Sequence, residues 1–137
     1  GAVELTAEKD SDPITWTNIG STTKTFTGGP CDIDFSAFFY GYVDLGALKQ
    51  FEWNGLLRIL EGTTEKWVGS GRIFGSYPDD SDIGSTLALS YTYTPAAGSK
   101  TINLEAAAVT EVSGTVSDAN TDVFAKNRFL NITEKKR

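Results

Sequence analysis

The residues able to do chemistry in this chain are its carboxylates. Histidine is absent from the 137 residues, which removes the commonest general base and the commonest metal ligand. Ser-His-Asp and Cys-His nucleophile systems are excluded, as are zinc sites built from four Cys and His ligands. Asp32 and Asp34 stand two apart in an alternating segment, so strand geometry sets them about 7 Å apart on one face. Two acids at such a separation can cleave a glycosidic bond when they oppose each other across the sugar. Neighbours along one strand point in parallel, so solvent exposure or pairing with Lys or Arg is the expectation. Asp79, Asp80 and Asp82 gather in one polar stretch. Hard calcium takes oxygens of this kind; the plain alternative is a solubilising acidic loop. No cofactor is expected, and calcium is the one metal worth considering. Asp118, Asn120 and Asp122 open with EF-hand spacing, but Val123 stands where that loop needs glycine and Phe129 where it needs an acid.

Aromatic side chains form the other set that can bind something. Tyr40, Tyr42, Trp53, Trp67 and Tyr77 offer ring faces that stack on sugars or anchor protein contacts. Trp16 and Trp67 are expected to fill a core. Tyr42, Trp53 and Tyr77 fall in or beside loops, where binding residues collect. With Asp79, Asp80 and Asp82 they make up the candidate ligand-contacting set. Cys31 is the single cysteine, so an intrachain disulfide is impossible. It fits a small buried strand position, with no histidine or nearby lysine to activate it.

Formal net charge is -6, which argues against nucleic acid as a partner, since that needs clustered Lys and Arg. The basic ending Lys135-Lys136-Arg137 is too short to change this and reads as a solvated terminus. No apolar run approaches the ~18 residues of a membrane-spanning helix, so no membrane insertion is expected. The first twelve residues are acidic and polar, unlike a cleavable signal peptide. The start at Gly1-Ala2, without an initiator Met, reads as that of a processed or recombinant fragment.

The elements that must position these residues are strands. Residues 1–13 read as an arm or linker with a short strand at 3–6, and 14–137 as one domain. Ile14–Asn18 and Thr23–Thr27 are expected to pair around a turn at Gly20–Thr22. In Cys31–Tyr40, Cys31, Ile33, Phe35, Ala37 and Phe39 share one face. Phe38 and Tyr40 end the other face, so that end is expected to be covered on both sides, with a neighbouring subunit on the outer one. Residues 41–55 are broken by glycines and read as a long connection or a pair of short strands. Leu56–Leu60 and Glu65–Phe74 form a hairpin around Glu61–Thr64, with Gly69 and Gly71 marking a bulge or a close backbone approach. Ser76–Ser85 reads as a loop. Thr86–Thr94 and Lys100–Ala108 alternate around the turn at 95–99. Val109–Val116 and 128–134 complete the set. The expectation is an all-β fold: an antiparallel, jelly-roll-like β-sandwich of about eight strands.

In this order lie Trp16 to Gly20, Thr25 to Pro30, Phe35 to Phe38, Leu57 to Thr63, Tyr93 to Ser99, and Arg128 to Glu134. Together they resemble the C-terminal β-sandwich modules of tailed-bacteriophage fibres and minor structural proteins. The resemblance implies a tumour-necrosis-factor-like jelly roll, a homotrimer, and a place in the virion beside other virion proteins. It further implies adhesion to a host surface glycan or protein, or decoration of the capsid, without enzymatic activity. It supplies no shared catalytic residues. A monomeric carbohydrate-binding module of a bacterial enzyme is the alternative.

Overall fold

A computed structural model describes residues 1–9, 13–43, 51–73, 81–112 and 121–135. Every regular element among them is a strand: β1 Val3–Leu5, β2 Ala7–Lys9, β3 Thr17–Phe26, β4 Cys31–Val43, β5 Phe51–Glu61, β6 Thr64–Ile73, β7 Ser81–Tyr93, β8 Gly98–Val112 and β9 Thr121–Glu134. One sheet runs β1-β9-β4-β7. The other runs β6-β5-β8, with β3 and β2 sharing the far edge of β8.

The chain is a long antiparallel ribbon folded over on itself. β1 pairs with β9, β3 with β8, β4 with β7, and β5 with β6. Successive pairs belong to alternate sheets, and β4–β9 and β8–β5 pairings close the roll. This strand order is that of a jelly roll. All these pairings are antiparallel; the three-residue β2 runs parallel to β8. The ribbon tip is a two-residue turn, Gly62-Thr63, with Gly62 at φ 60°, the left-handed conformation that the first central position of a type II′ hairpin requires. Its amide donates to the Thr101 carbonyl at 2.8 Å, tying the tip to β8.

Side-chain alternation builds the core. Cys31, Ile33, Phe35, Ala37 and Phe39 of β4 are at most 1% exposed. They meet Leu57 and Ile59 of β5 and Ile102, Leu104, Ala106 and Ala108 of β8 across the sandwich. Each large apolar side chain so buried contributes roughly 1.5–3 kcal/mol. Leu87, Leu89, Tyr91 and Tyr93 of β7 alternate as expected and pack against the rim of this core.

Several boundaries differ from the sequence reading. β3 is one continuous strand, and the expected turn at Gly20–Thr22 is instead a bulge between Asn18 and Gly20. The described glycines with positive φ are Gly28, Gly62 and Gly98, so Gly20 supplies no turn. Alternation reaches further than expected elsewhere: β4 runs to Val43, β7 starts at Ser81 inside the expected loop, and β9 starts at Thr121. β8 continues unbroken to Val112. Within β9 the inward parity changes at Asn127, whose φ of 51° marks a bulge opposite Ala37. Asn is among the few residues that tolerate this conformation.

Where the edges of the two sheets meet, β6 carries glycine at 69 and 71, opposite leucines of β7. A Cβ on Gly69 would lie 2.5 Å from the Trp67 ring and 2.8 Å from Leu89 Cδ1, and one on Gly71 2.7 Å from Leu87 Cδ1. Close approach, and not a bulge, is therefore the role of these glycines. Gly69→Ala should cost about 1–3 kcal/mol by overpacking, whereas Gly20→Ala, whose nearest neighbour would be 4.0 Å away, should be far milder. Urea unfolding of the two variants checks this; equal costs would contradict the seam.

Candidate functional site

The six candidate contact residues divide in two. Tyr77, Asp79 and Asp80 lie outside the described residues. The other three sit on strands. Tyr42 is in β4, with Asp82 of β7 as its register partner on one side and Asp122 of β9 on the other. Trp53 is in β5, between Ile73 of β6 and Thr110 of β8. Asp82 was expected in a loop and is in a strand, because β7 pairs with β4 as far as Val43↔Ser81. Register brings Val43, Ser81 and Thr121 level in one sheet, and Phe51 level with Val112 in the other. Gly69 and Gly71 face Leu89 and Leu87, so the two sheets run in step. Tyr42, Trp53 and Asp82 therefore belong to the same end of the sandwich.

The expected acid pair is engaged in local bonds. Asp32 accepts from Thr92 Oγ1 at 2.7 Å and faces Lys135 Nζ at 3.0 Å; Asp34 accepts from Ser90 Oγ at 2.9 Å. The Thr92 hydrogen bond, followed by Lys135, holds the Asp32 carboxyl below its ordinary range. This is the pairing with a lysine that parallel neighbours on one strand invite. Among the described residues, no group of three or more acids or cysteines converges as a metal would require.

Trp16 corrects an expectation. It lies ahead of β3, half-buried on the outer face of the second sheet, rather than in the core. Its ring is 4.3 Å from the Arg58 guanidinium. Arg58 alternates with the buried Leu57 and Ile59, so it projects outward from β5. There it meets Glu105 of β8 at 2.6 Å and Glu65 of β6 at 3.2 Å. One arginine thus joins three strands and the segment leading into a fourth. Trp67 is half-buried at the core rim, edge-on to Phe35 at 5.9 Å and stacked on Tyr91 at 6.1 Å.

A second aromatic cluster lies on the outer face of the first sheet. Phe38 stacks on Tyr40 at 6.0 Å, and Tyr40 on Phe124 at 5.3 Å. Lys126 Nζ stands 4.7 Å from the Tyr40 ring and 5.5 Å from that of Phe38. Gly84 leaves room for this arrangement, since a Cβ there would lie 2.5 Å from Phe38 Cζ. Phe38 and Tyr40 were legible as outward-facing. Phe124 and Lys126 were missed, because the alternation of β9 was read only from residue 128.

At the opposite end, Glu134 closes the roll. Its carboxylate accepts from the backbone amides of Thr27, Gly28 and Gly29 at 3.0–3.1 Å. The Thr27 amide first, then those of Gly29 and Gly28, depress its pKa. Nearby, burial first and the Glu134 charge second push the Cys31 thiol up, so it stays protonated. Burial and the Glu61 charge likewise raise Tyr93, whose hydroxyl donates to Glu61 at 3.2 Å.

No protein-family model matches the chain, and no curated protein matches it.

A carboxylate with a lowered folded-state pKa stabilises fully above its unfolded pKa, and that stability fades as pH falls through the folded value. Glu134 should therefore contribute at neutral pH, begin to lose its contribution as pH drops below the ordinary 4.5, and lose it fully below its lowered folded value. Thermal melts of Glu134→Gln should show a lower Tm at neutral pH and a gap to the parent chain that narrows in acid. A gap independent of pH would contradict the ionic cradle.

Proposed function

We propose that this chain is a non-enzymatic structural module of a tailed-bacteriophage virion: a homotrimeric domain of a fibre or head decoration that attaches to a host surface receptor or to the capsid. Two things support the reading. The jelly-roll strand order agrees with the fold that the sequence resemblance implies. The outward aromatic cluster of Phe38, Tyr40 and Phe124 is the observation that carries the oligomer, since ring faces grouped on the outside of a sheet are the composition of a protein contact.

Three protomers packed on these faces would gather their Tyr42, Trp53 and Asp82 ends around one axis. Receptor contacts that are weak singly then act together, because linked sites raise effective concentration. The work is adhesion, and no bond is made or broken.

Light scattering at micromolar concentration should give three times the 14.8 kDa protomer mass. Tyr40→Asp should yield a folded monomer with unchanged circular dichroism, because it places a charge in the shared aromatic face. A parent chain that stays at the protomer mass would overturn the trimer. If it then bound sugars on a glycan array, a carbohydrate-binding module would be the better reading.

A further inference from the structure

The side of the roll opposite the β6–β7 seam is only half closed. β1 covers the outer edge of β9 at residues 123–125. Beyond Ala125 that edge has no partner strand among the described residues, and neither does the outer edge of β3. Between the two lies a groove of about 300 Å³ with Ile19, Leu104 and Leu130 among its walls and Arg128 and Phe129 at its rim. Phe129 is 53% exposed.

Arg128 lines this opening, and Lys24 lies further along β3, beyond Thr22 of its wall. Arg128 alternates with Leu130 and Ile132, which pack on the core, so it shares their inward side. Lys24 alternates with the buried Phe26 and shares the inward side of β3. Both are half-buried, and among the described residues neither makes an ion pair or hydrogen bond. Half-buried cations without counter-charge are conspicuous in a chain of net charge -6, because desolvating a charge is costly unless it is paired.

We infer that this groove is a docking site for an extended acidic segment of another polypeptide, which adds to the free edge of β9 as a strand and brings carboxylates to Arg128 and Lys24. Three features argue for that occupant. Unpaired edge amides and carbonyls are the recognition element of strand addition, with side-chain pockets giving specificity. The covered part of the same edge already holds a strand of this kind: Val3-Glu4-Leu5, alternating and acidic, antiparallel to β9. The inward charges turn away apolar strands, which would bury them unpaired, and they accept one carrying carboxylates. Sheet addition here needs neither the trimer nor a receptor, so it stands or falls apart from the function proposed above.

The probe is a short fluorescent peptide alternating valine and glutamate, titrated into the intact chain by anisotropy with amide chemical-shift mapping. Saturable binding is expected, with shifts along 19–24 and 128–133. Replacing glutamate by lysine in the peptide should abolish it. The double variant Lys24→Gln, Arg128→Gln should weaken it about tenfold or more, the scale of lost charge-assisted hydrogen bonds. Circular dichroism and the Gly1–Leu5 resonances report that the variant is folded. No binding by the glutamate peptide, equal binding by the lysine peptide, or an unchanged affinity in the variant would each overturn the site. Self-association of Arg128→Val without any response of the parent chain to peptide would overturn it too, leaving the cations as guards of the edge.

Discussion

The structure hangs on β4 being paired along both edges while one of its faces is buried. Its register runs from Cys31 to Val43 against β7 and, with one bulge, against β9. Strand period is two, so a slip of one residue would turn Ile33, Phe35 and Phe39 to solvent and Asp32 and Asp34 into the core. The cost of burying those carboxylates fixes the register more firmly than hydrogen bonds, which a slipped ladder would re-form. Once β4 is fixed, the neighbours follow. β9 is held against one edge by Leu130 and Ile132 packing into the core, and β7 against the other by Leu87 and Leu89.

The two ends and two sides of the roll are then closed by different means. One side is a close-packed seam, where Gly69 and Gly71 let leucines from the opposite sheet come close. The other is covered by the three-residue β1 and β2, beyond which no strand among the described residues closes it. The end at Thr27–Gly29 is tied by a carboxylate cradle. The end bearing Tyr42, Trp53 and Asp82 is where strand termini from both sheets come level. Closure among the described residues is therefore unequal.

Much of the fold was legible because β4 over 31–40, β7 over 84–93 and β8 over 98–106 alternate, and alternation is what a half-buried strand demands. The β5–β6 hairpin was legible because Gly62 meets a backbone requirement. One failure has its cause in a bulge. A bulge inserts one residue and reverses parity, so β9 read from Arg128 onward hid Phe124 and Lys126 on the far side of Asn127. Gly20 looked like a turn because local composition does not reveal that β8 supplies a partner on its flank. Trp16 was assigned to the core by size alone; its place depends on Arg58, forty-two positions away in the chain and adjacent only once β5 has formed. For Asp32 and Asp34 the expectation was solvent exposure or pairing with Lys or Arg; Asp32 pairs with Lys135 and Asp34 is exposed. Long-range pairing decided each of the rest.

The nested ribbon is tested most directly by cross-strand nuclear Overhauser contacts in the intact chain. Phe35 should show contacts to Leu89 on one side and Leu130 on the other, its register partners in β7 and β9. A meander would contradict it: contacts joining the Cys31–Phe39 run to Thr17–Phe26 as a simple hairpin, with Leu130 distant from Phe35.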